Sequence, residues 1–576
     1  MPHDPEHFVA IGAATSPSFS RDGTTLFHLR GSGLPQVWAL DLATGEERQL
    51  TFHDEKVALL RRSPVDDRLI YGTDRGGAER QQLWLLGTGG EPHALTANAS
   101  VIHDFGAWSP DATRIAYAAN ERDEAHFDVY VQDVATGVRQ CVYQGENIVT
   151  VSGFRPDGTT LTLLHDRGYG DMSLLLLDLA SGATAEAAHP ANWQSVRWAS
   201  DGESLLALTD LDSEFLRLCR LHGAMTVVYA ADGRDVEAWS LSPDGQTLAT
   251  VENDRGYSIL RIGPLDGERP IVPNLPRGVV SDLTWSPDSA QLAFSAASPT
   301  QPPGLWLWRD GSARALWQPE TSGFIDLELV EWASFDGARI PGWLALPRTG
   351  KAPFPAIVWV HGGPVGQTKP NFRPDIQMLL AQGFAVLMPN VRGSSGYGRS
   401  YTESDDVARR LDSVTDLAHG RAWLAAHPAI DAERIGIMGQ SYGGFMVMSA
   451  ITEHPDLWRA AVNYYGIADF TTLLEKTGSW RRNHRAAEYG NDAELFARIS
   501  PIHRVDRIQV PLLIAHGTRD PRVPFSESEQ YVTALQERQR KVTFETFDYA
   551  GHGFIRPDDR RRIYRAVAEF FTTHLE

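Results

Sequence analysis

The sequence predicts two domains of different class: an all-β ring of seven blades over residues 1–323 and an α/β domain with a mainly parallel sheet over residues 324–576. Three observations carry this. A turn recurs at a nearly constant interval through the first half. After Pro319 the pattern switches from strands alone to strands alternating with helical stretches. A Gly-x-Ser-x-Gly then stands between a strand and a helical stretch. A chain of 576 residues is also too long for one hydrophobic core, so at least two domains are expected.

The recurring turn is Ser-Pro-Asp-Gly-like, and its aspartates are Asp22, Asp67, Asp111, Asp157, Asp201, Asp244 and Asp288, spaced 43 to 46 residues apart. Each turn is followed by a short apolar run (TLFHL, RIAYAA, TLATV). A second run then closes on another Asp/Gly turn, as in QVWALDLATG and DVYVQDVATG. Runs rich in β-branched, aromatic and leucine side chains, bounded by such turns, read as hairpins. About four strands in roughly 44 residues make one blade of a β-propeller, so seven units predict seven blades after a short N-terminal extension. Strand counting leaves no spare strand at either end. The ring is therefore expected to close only by packing of the first blade on the last.

Charge is divided unequally between the halves. Residues 1–323 hold 24 Lys+Arg against 43 Asp+Glu, and residues 324–576 hold 29 against 30. A net charge of −20 argues against non-specific nucleic-acid binding, which needs basic side chains to neutralise phosphates. Cys141 and Cys219 are two lone thiols, which excludes a disulfide framework and a cysteine-rich zinc site. The histidines lack metal-ligand spacing, and NVRGSSGYG lacks the order of a phosphate-cradling loop, so no metal and no cofactor are expected. No basic-then-apolar leader and no run of eighteen apolar residues is present. The expectation is a cytoplasmic protein without a membrane span.

In the second half, Ile357–Val360, Ala385–Pro389, Arg434–Met438, Leu512–Ala515 and Val542–Phe547 read as strands. Asp416–His427 and Arg561–Leu575 read as helices. Gly439-Gln440-Ser441-Tyr442-Gly443 fits a nucleophile elbow, a turn tight enough to require glycine on both sides of the serine. Asp520 follows the strand VPLLIAHG, and His552 follows VTFETFDYA. The order Ser, Asp, His is that of an α/β-hydrolase. His552 would take the proton of Ser441, and Asp520 would hold the imidazole in the required tautomer. Asp548, close to His552 in sequence, reads as a turn residue. The Tyr442 amide is one expected oxyanion donor, and the loop His361-Gly362-Gly363-Pro364 is expected to supply a second.

The set of motifs SFDGARIPGWLALP, HGGP, NVRGSSGYG, GQSYGG, HGTRDPRVP and GHGF after a seven-bladed propeller resembles the prolyl oligopeptidase family of serine peptidases. Within it the chain is most similar to the acylaminoacyl-peptidase and dipeptidyl-peptidase branch. The resemblance implies an α/β-hydrolase catalytic domain, a triad of Ser441, Asp520 and His552, and oxyanion donors at Gly363 and Tyr442. It also implies that Arg522 holds a substrate carbonyl. The chain departs from the pattern in having Gln440 where glycine often precedes the nucleophile. It also lacks a propeller glutamate pair of the kind that holds a free amino terminus. Glu46-Glu47 reads as a solvated turn, and dipeptide release is not expected.

The leading reading is a serine oligopeptidase or exopeptidase, acylaminoacyl-peptidase-like, whose propeller limits access to short peptides. A carboxylesterase and a propeller scaffold with an inactive hydrolase are the other classes, and the intact triad disfavours the scaffold. Ser479–Arg485, reading SWRRNHR, adds one alternative. Arg481, Arg482 or Arg485 could hold a peptide's terminal carboxylate and make the enzyme a carboxypeptidase. The plainer reading is a solvated basic face paired with Glu475 and Glu488. Self-association into a homo-oligomer is left open.

Overall fold

The computed structural model describes residues 4–168 and 170–576. Among these, residues 13–317 form seven successive antiparallel sheets, six of four strands and one of three. The three-stranded sheet is blade 6. Its fourth strand shrinks to a single bridge between Arg261 and Ile271. Pro264, Pro270, Pro273 and Pro276 crowd this stretch and lack the N–H groups that a longer ladder needs.

The recurring turn joins the first and second strands of each blade. Asp22 accepts hydrogen bonds from Ser20 Oγ (2.6 Å) and the Thr24 amide (3.0 Å). Asp111 and Asp288 repeat the pattern with Ser109 and Ser286 two residues before them. Serine and aspartate recur together because they form one hydrogen-bonded turn. The second repeat differs. There Asp66 accepts from the Arg68 amide (3.1 Å), while Asp67 turns to the Arg21 amide of blade 1 (2.6 Å).

Blades 1 and 7 share no strand. Ala14, Phe19, Leu26 and Leu40 pack instead on Ala293, Leu305 and Leu307, and the Ser16 amide donates to Asp282 (3.2 Å). The ring is thus closed by side-chain packing, as strand counting predicts.

The second domain is built on an eight-stranded sheet: β1 Glu328–Ala333, β2 Arg339–Ala345, β3 Phe354–Val360, β4 Ala385–Pro389, β5 Ile430–Gln440, β6 Ala461–Tyr464, β7 Leu512–Gly517 and β8 Val542–Phe547. The spatial order is β1-β2-β4-β3-β5-β6-β7-β8. The ladders β1/β2 and β2/β4 are antiparallel, and the others are parallel. On β3, Ala356, Val358 and Val360 enter one core, while Ile357 and Trp359 enter the other. Both faces are covered, so these strands read as continuous apolar runs.

The helix expected at Asp416–His427 runs from Arg410 to Ala425. Its first turn is hidden in the sequence because it buries charge: Arg410 is fully buried and paired with Asp405 (2.6 Å). The short extension before blade 1 forms a helix, Pro5–Val9, that packs on the hydrolase side. Phe8 is 2% exposed in a core with Phe324, Ile563 and Val567. Glu6 pairs with Arg561 of the C-terminal helix, Pro557–Leu575. No helix among the described residues is long and apolar enough to cross a membrane.

Candidate active site

β5 ends at Gln440, and the helix Tyr442–Glu453 starts at once, leaving Ser441 alone at the turn with φ 57° and ψ −123°. This left-handed backbone is strained for a residue with a side chain. The surrounding glycines make it possible. A Cβ on Gly439 would lie 2.5 Å from the Gly443 carbonyl oxygen, and one on Gly443 would lie 2.3 Å from that of Val360. The motif is therefore a packing requirement of this turn.

Ser441 Oγ lies 2.8 Å from His552 Nε2, and His552 Nδ1 lies 2.6 Å from Asp520 Oδ2. The three predicted residues thus meet in one hydrogen-bonded line, from three different loops. The other Asp520 oxygen accepts from the amides of Arg522 (2.8 Å) and Val523 (3.0 Å). Burial raises the pKa of the Asp520 carboxyl, but the interactions with His516 and His552 outweigh it. The carboxyl is held well below the usual carboxylate range. Asp548, as expected, lies in a turn, with its carbonyl accepting from Thr518 Oγ1 (3.0 Å).

Tyr442 is the first residue of its helix, where amides have no intrahelical acceptor and the helix dipole favours negative charge. The loop after β3 passes over the nucleophile: a Cβ on Gly362 would lie 3.2 Å from Ser441 Cβ. Gly362 and Gly363 line the same cavity of about 500 Å³ as Ser441, His552, Arg522, Arg373 and, from blade 7, Val279. His361 anchors the loop start, with Nε2 3.0 Å from Ser394 Oγ and Nδ1 2.8 Å from the Gly362 carbonyl oxygen. Burial keeps this imidazole below its usual pKa.

Arg522 lines the cavity and pairs through Nε with Glu79 of blade 2. Arg481 reaches the other oxygen of the same carboxylate (2.8 Å). The other two arginines of that segment point elsewhere. Arg482 bonds the carbonyls of Leu474 and Glu475, and Arg485 pairs with Glu488 (2.8 Å) beside Tyr489. Of the three arginines, one of which was expected to face a substrate, Arg481 is the one directed towards Arg522, through Glu79. Trp480 is 7% exposed and inserts into the apolar cluster between blades 3 and 4, so the aromatic of this segment anchors the domains together.

Glu79 escaped the sequence reading. Its signal was loop length. In blade 2, eight residues separate the second and third strands, where blade 3 has two. Seven separate them in blade 5, and that loop also meets the hydrolase: Glu214 accepts from the Ser400 amide (2.9 Å). The blade 2 loop further abuts the His552 loop, where a Cβ on Gly551 would lie 1.8 Å from the Gly77 carbonyl oxygen. Of the glutamates weighed earlier, Glu46 is exposed, while Glu47 is partly buried and pairs with Arg30.

Residues 370–576 match the model of the prolyl oligopeptidase family, and residues 88–302 match that of the TolB β-propeller domain. The chain is 28% identical over 580 residues to dipeptidyl aminopeptidase BIII of Pseudoxanthomonas mexicana, covering 95% of this chain and 78% of that protein. It is 28% identical over 235 residues to the acylamino-acid-releasing enzyme of Arabidopsis thaliana, covering 38% of this chain and 30% of that one. The fold is shared with a solved puromycin hydrolase (TM-score 0.87, 19% identity, 100% and 96% of the two chains). It is also shared with Pyrococcus horikoshii acylaminoacyl peptidase (TM-score 0.78, 20% identity, 99% and 97%).

Proposed function

The chain belongs to the prolyl oligopeptidase family, and from that premise we propose that it is a serine exopeptidase of short peptides, acylaminoacyl-peptidase-like, acting through an acyl-enzyme on Ser441. The unbroken line from Ser441 through His552 to Asp520 is the observation that carries this. Ser441 Oγ attacks the scissile carbonyl as His552 Nε2 takes its proton. Asp520 accepts from Nδ1–H and stabilises the imidazolium that forms. The amides of Tyr442 and Gly363 receive the oxyanion, each worth about 3 kcal/mol of barrier. His552 then gives its proton to the leaving amine, and a water deprotonated by the same nitrogen releases the acyl group.

Access is the second element. The propeller contributes Val279 to the cavity wall and meets the lining residue Arg522 through Glu79, which supports a filter that admits short peptides and excludes folded proteins. We place the domain boundary between residues 323 and 324, in keeping with Phe324 packing among hydrolase side chains. We place the activity in the cytoplasm, in keeping with the two free thiols Cys141 and Cys219. The testing experiment is active-site labelling with a fluorophosphonate, followed by assays of matched peptides with acetylated, free-amine and free-carboxylate ends. Labelling at Ser441, lost in Ser441→Ala together with turnover, is the expected result.

A second reading, carboxypeptidase action, is favoured by one observation: Arg481 and Arg522 converge on a single carboxylate, that of Glu79. A peptide's C-terminal carboxylate presents the same pair of oxygens to the same guanidinia.

A further inference from the structure

The loop that carries Gly363 runs from His361 to Arg373 and is tied to its own domain at His361, which meets Ser394 Oγ (3.0 Å), at the Gly366 carbonyl, which accepts from the Ser395 amide (3.0 Å), and at Thr368. Asn390 accepts from the Thr368 amide (2.6 Å) and donates to its carbonyl (3.0 Å), and Trp343 Nε1 donates to that carbonyl as well (2.8 Å). The side chains on either side of Thr368 leave the domain. Gln367 Oε1 accepts from Asn253 Nδ2 (2.7 Å), and Lys369 Nζ donates to both oxygens of Glu237 (2.6 Å each). Both partners belong to blade 6, Glu237 on its first strand, Val236–Leu241, and Asn253 on its second, Thr247–Asp254.

The two blade residues are joined to each other. Asn253 is 1% exposed, and its Nδ2 also donates to Glu237 Oε1 (2.7 Å) while its Oδ1 accepts from the Gly256 amide (2.6 Å). The Gly256 N–H fixes which way the amide faces: the oxygen must meet that donor, so the NH₂ must face Gln367. The turn between Gly363 and Gln367 is compact enough to transmit a displacement. A Cβ on Gly363 would lie 2.8 Å from the Val365 nitrogen, and one on Gly366 would lie 2.8 Å from the Gly362 carbonyl oxygen. The hydrolase holds the backbone of this turn at Gly366 and Thr368 but leaves the side chains of Gln367 and Lys369 to the propeller. Grips on both neighbours of Thr368 add two points of attachment, each from blade 6.

We propose that the propeller completes the oxyanion hole: Glu237 and Asn253 are positioning residues that hold Gln367 and Lys369, and so set the Gly363 amide over Ser441. This rests on the reading of Gly363 as an oxyanion donor. It makes blade 6 a participant in the chemical step, because the donor is aligned only while the two domains are docked.

The test uses the full chain and compares Asn253→Asp and Glu237→Gln with wild type on a short peptide. Asn253→Asp keeps the shape but sets a carboxylate against Glu237 and the Gln367 oxygen. Glu237→Gln removes the charge that holds Lys369. Each variant is assayed for kcat and KM, for inhibition by a peptide aldehyde whose hemiacetal oxygen occupies the oxyanion site, and for inhibition by the leaving-amine product, which has no acyl carbonyl to place there. The expected result is a kcat lower by about 10- to 100-fold, short of the roughly 10²–10³ for deleting a donor outright. The aldehyde should weaken by the same factor, with KM and product inhibition within about twofold of wild type. Unchanged kcat and aldehyde affinity in cooperatively melting variants overturns the proposal. So does a parallel loss of aldehyde, product and substrate affinity, which marks a general failure of docking. Should Asn253→Asp not fold, Glu237→Gln alone decides. Fluorophosphonate labelling of wild type at Ser441 checks the underlying reading separately, since its failure defeats that reading whatever the variants do.

Discussion

Glu79, carried by the propeller, lies between Arg481 and Arg522 of the hydrolase, and Arg522 follows the triad carboxylate Asp520 by two residues. A propeller side chain is therefore in contact with the edge of the triad. Arg522→Gln removes a charge-assisted donor worth about 1.5–3 kcal/mol, so kcat/KM should fall roughly 10- to 100-fold in steady-state assays. Glu79→Ala frees both guanidinia, and peptides with a free C-terminal carboxylate should then gain relative to their amides. An unchanged acid-to-amide ratio rules out the carboxypeptidase reading.

Triad geometry sets the scale of the next outcome. Ser441→Ala should lower turnover at least about 10³-fold, and Asp520→Asn about 10⁴-fold by stabilising the wrong tautomer of His552. Far-ultraviolet circular dichroism should not change. Turnover retained by purified Ser441→Ala would defeat the mechanism.

Asp235, at the foot of blade 6, gives a pH-dependent stability. Its carboxyl is pushed up to about 6, chiefly by burial, with Glu237 and Asp210 adding to the rise against the Leu216 amide and Lys369. The folded chain keeps a proton that the unfolded chain, with a pKa of about 3.9, has released. Stability is therefore lost as pH rises between about 4 and 6, by up to about 3 kcal/mol from this group. Denaturant unfolding of Asp235→Asn should show a shallower decline across that window. A constant difference between variant and wild type contradicts the assignment.

Phe8→Ala should destabilise the hydrolase by about 3 kcal/mol, since it empties a buried aromatic site among Phe324, Ile563 and Val567. The check is the melting of the second domain. A shift confined to the propeller transition would mean that the helix Pro5–Val9 stabilises its own domain instead.

Much of this architecture was legible because its determinants are periodic or local. The Ser-Asp turns repeat since each is a self-contained hydrogen-bonded unit, as at Ser20 and Asp22. The elbow shows because two backbone clashes exclude every residue but glycine at positions 439 and 443. Residues whose role depends on a partner in the other domain left no such trace. Glu79 sits in what reads as an ordinary polar loop, and Lys369 and Gln367 read as loop filling until Glu237 and Asn253 are brought beside them. Trp480 misled the reading in the opposite direction, because an aromatic among arginines resembles a binding surface when it is an interface anchor. Arg410 did so too, since a buried ion pair breaks the apolar periodicity on which a helix boundary is drawn.

The packing of the Pro5–Val9 helix against the C-terminal helix also orders events during synthesis. Glu6 and Arg561 are 555 residues apart in the chain and touch in the finished molecule. At about 5–20 residues per second, the helix Pro5–Val9 waits between about half a minute and two minutes for its docking site to be made. Seven blades can pair strand by strand in that interval, but the hydrolase core stays open at Phe8 until the helix Pro557–Leu575 emerges. The nascent chain thus holds a nearly complete lid over an enzyme that does not yet exist. The two helices can meet only after every strand of the hydrolase sheet between them has been made.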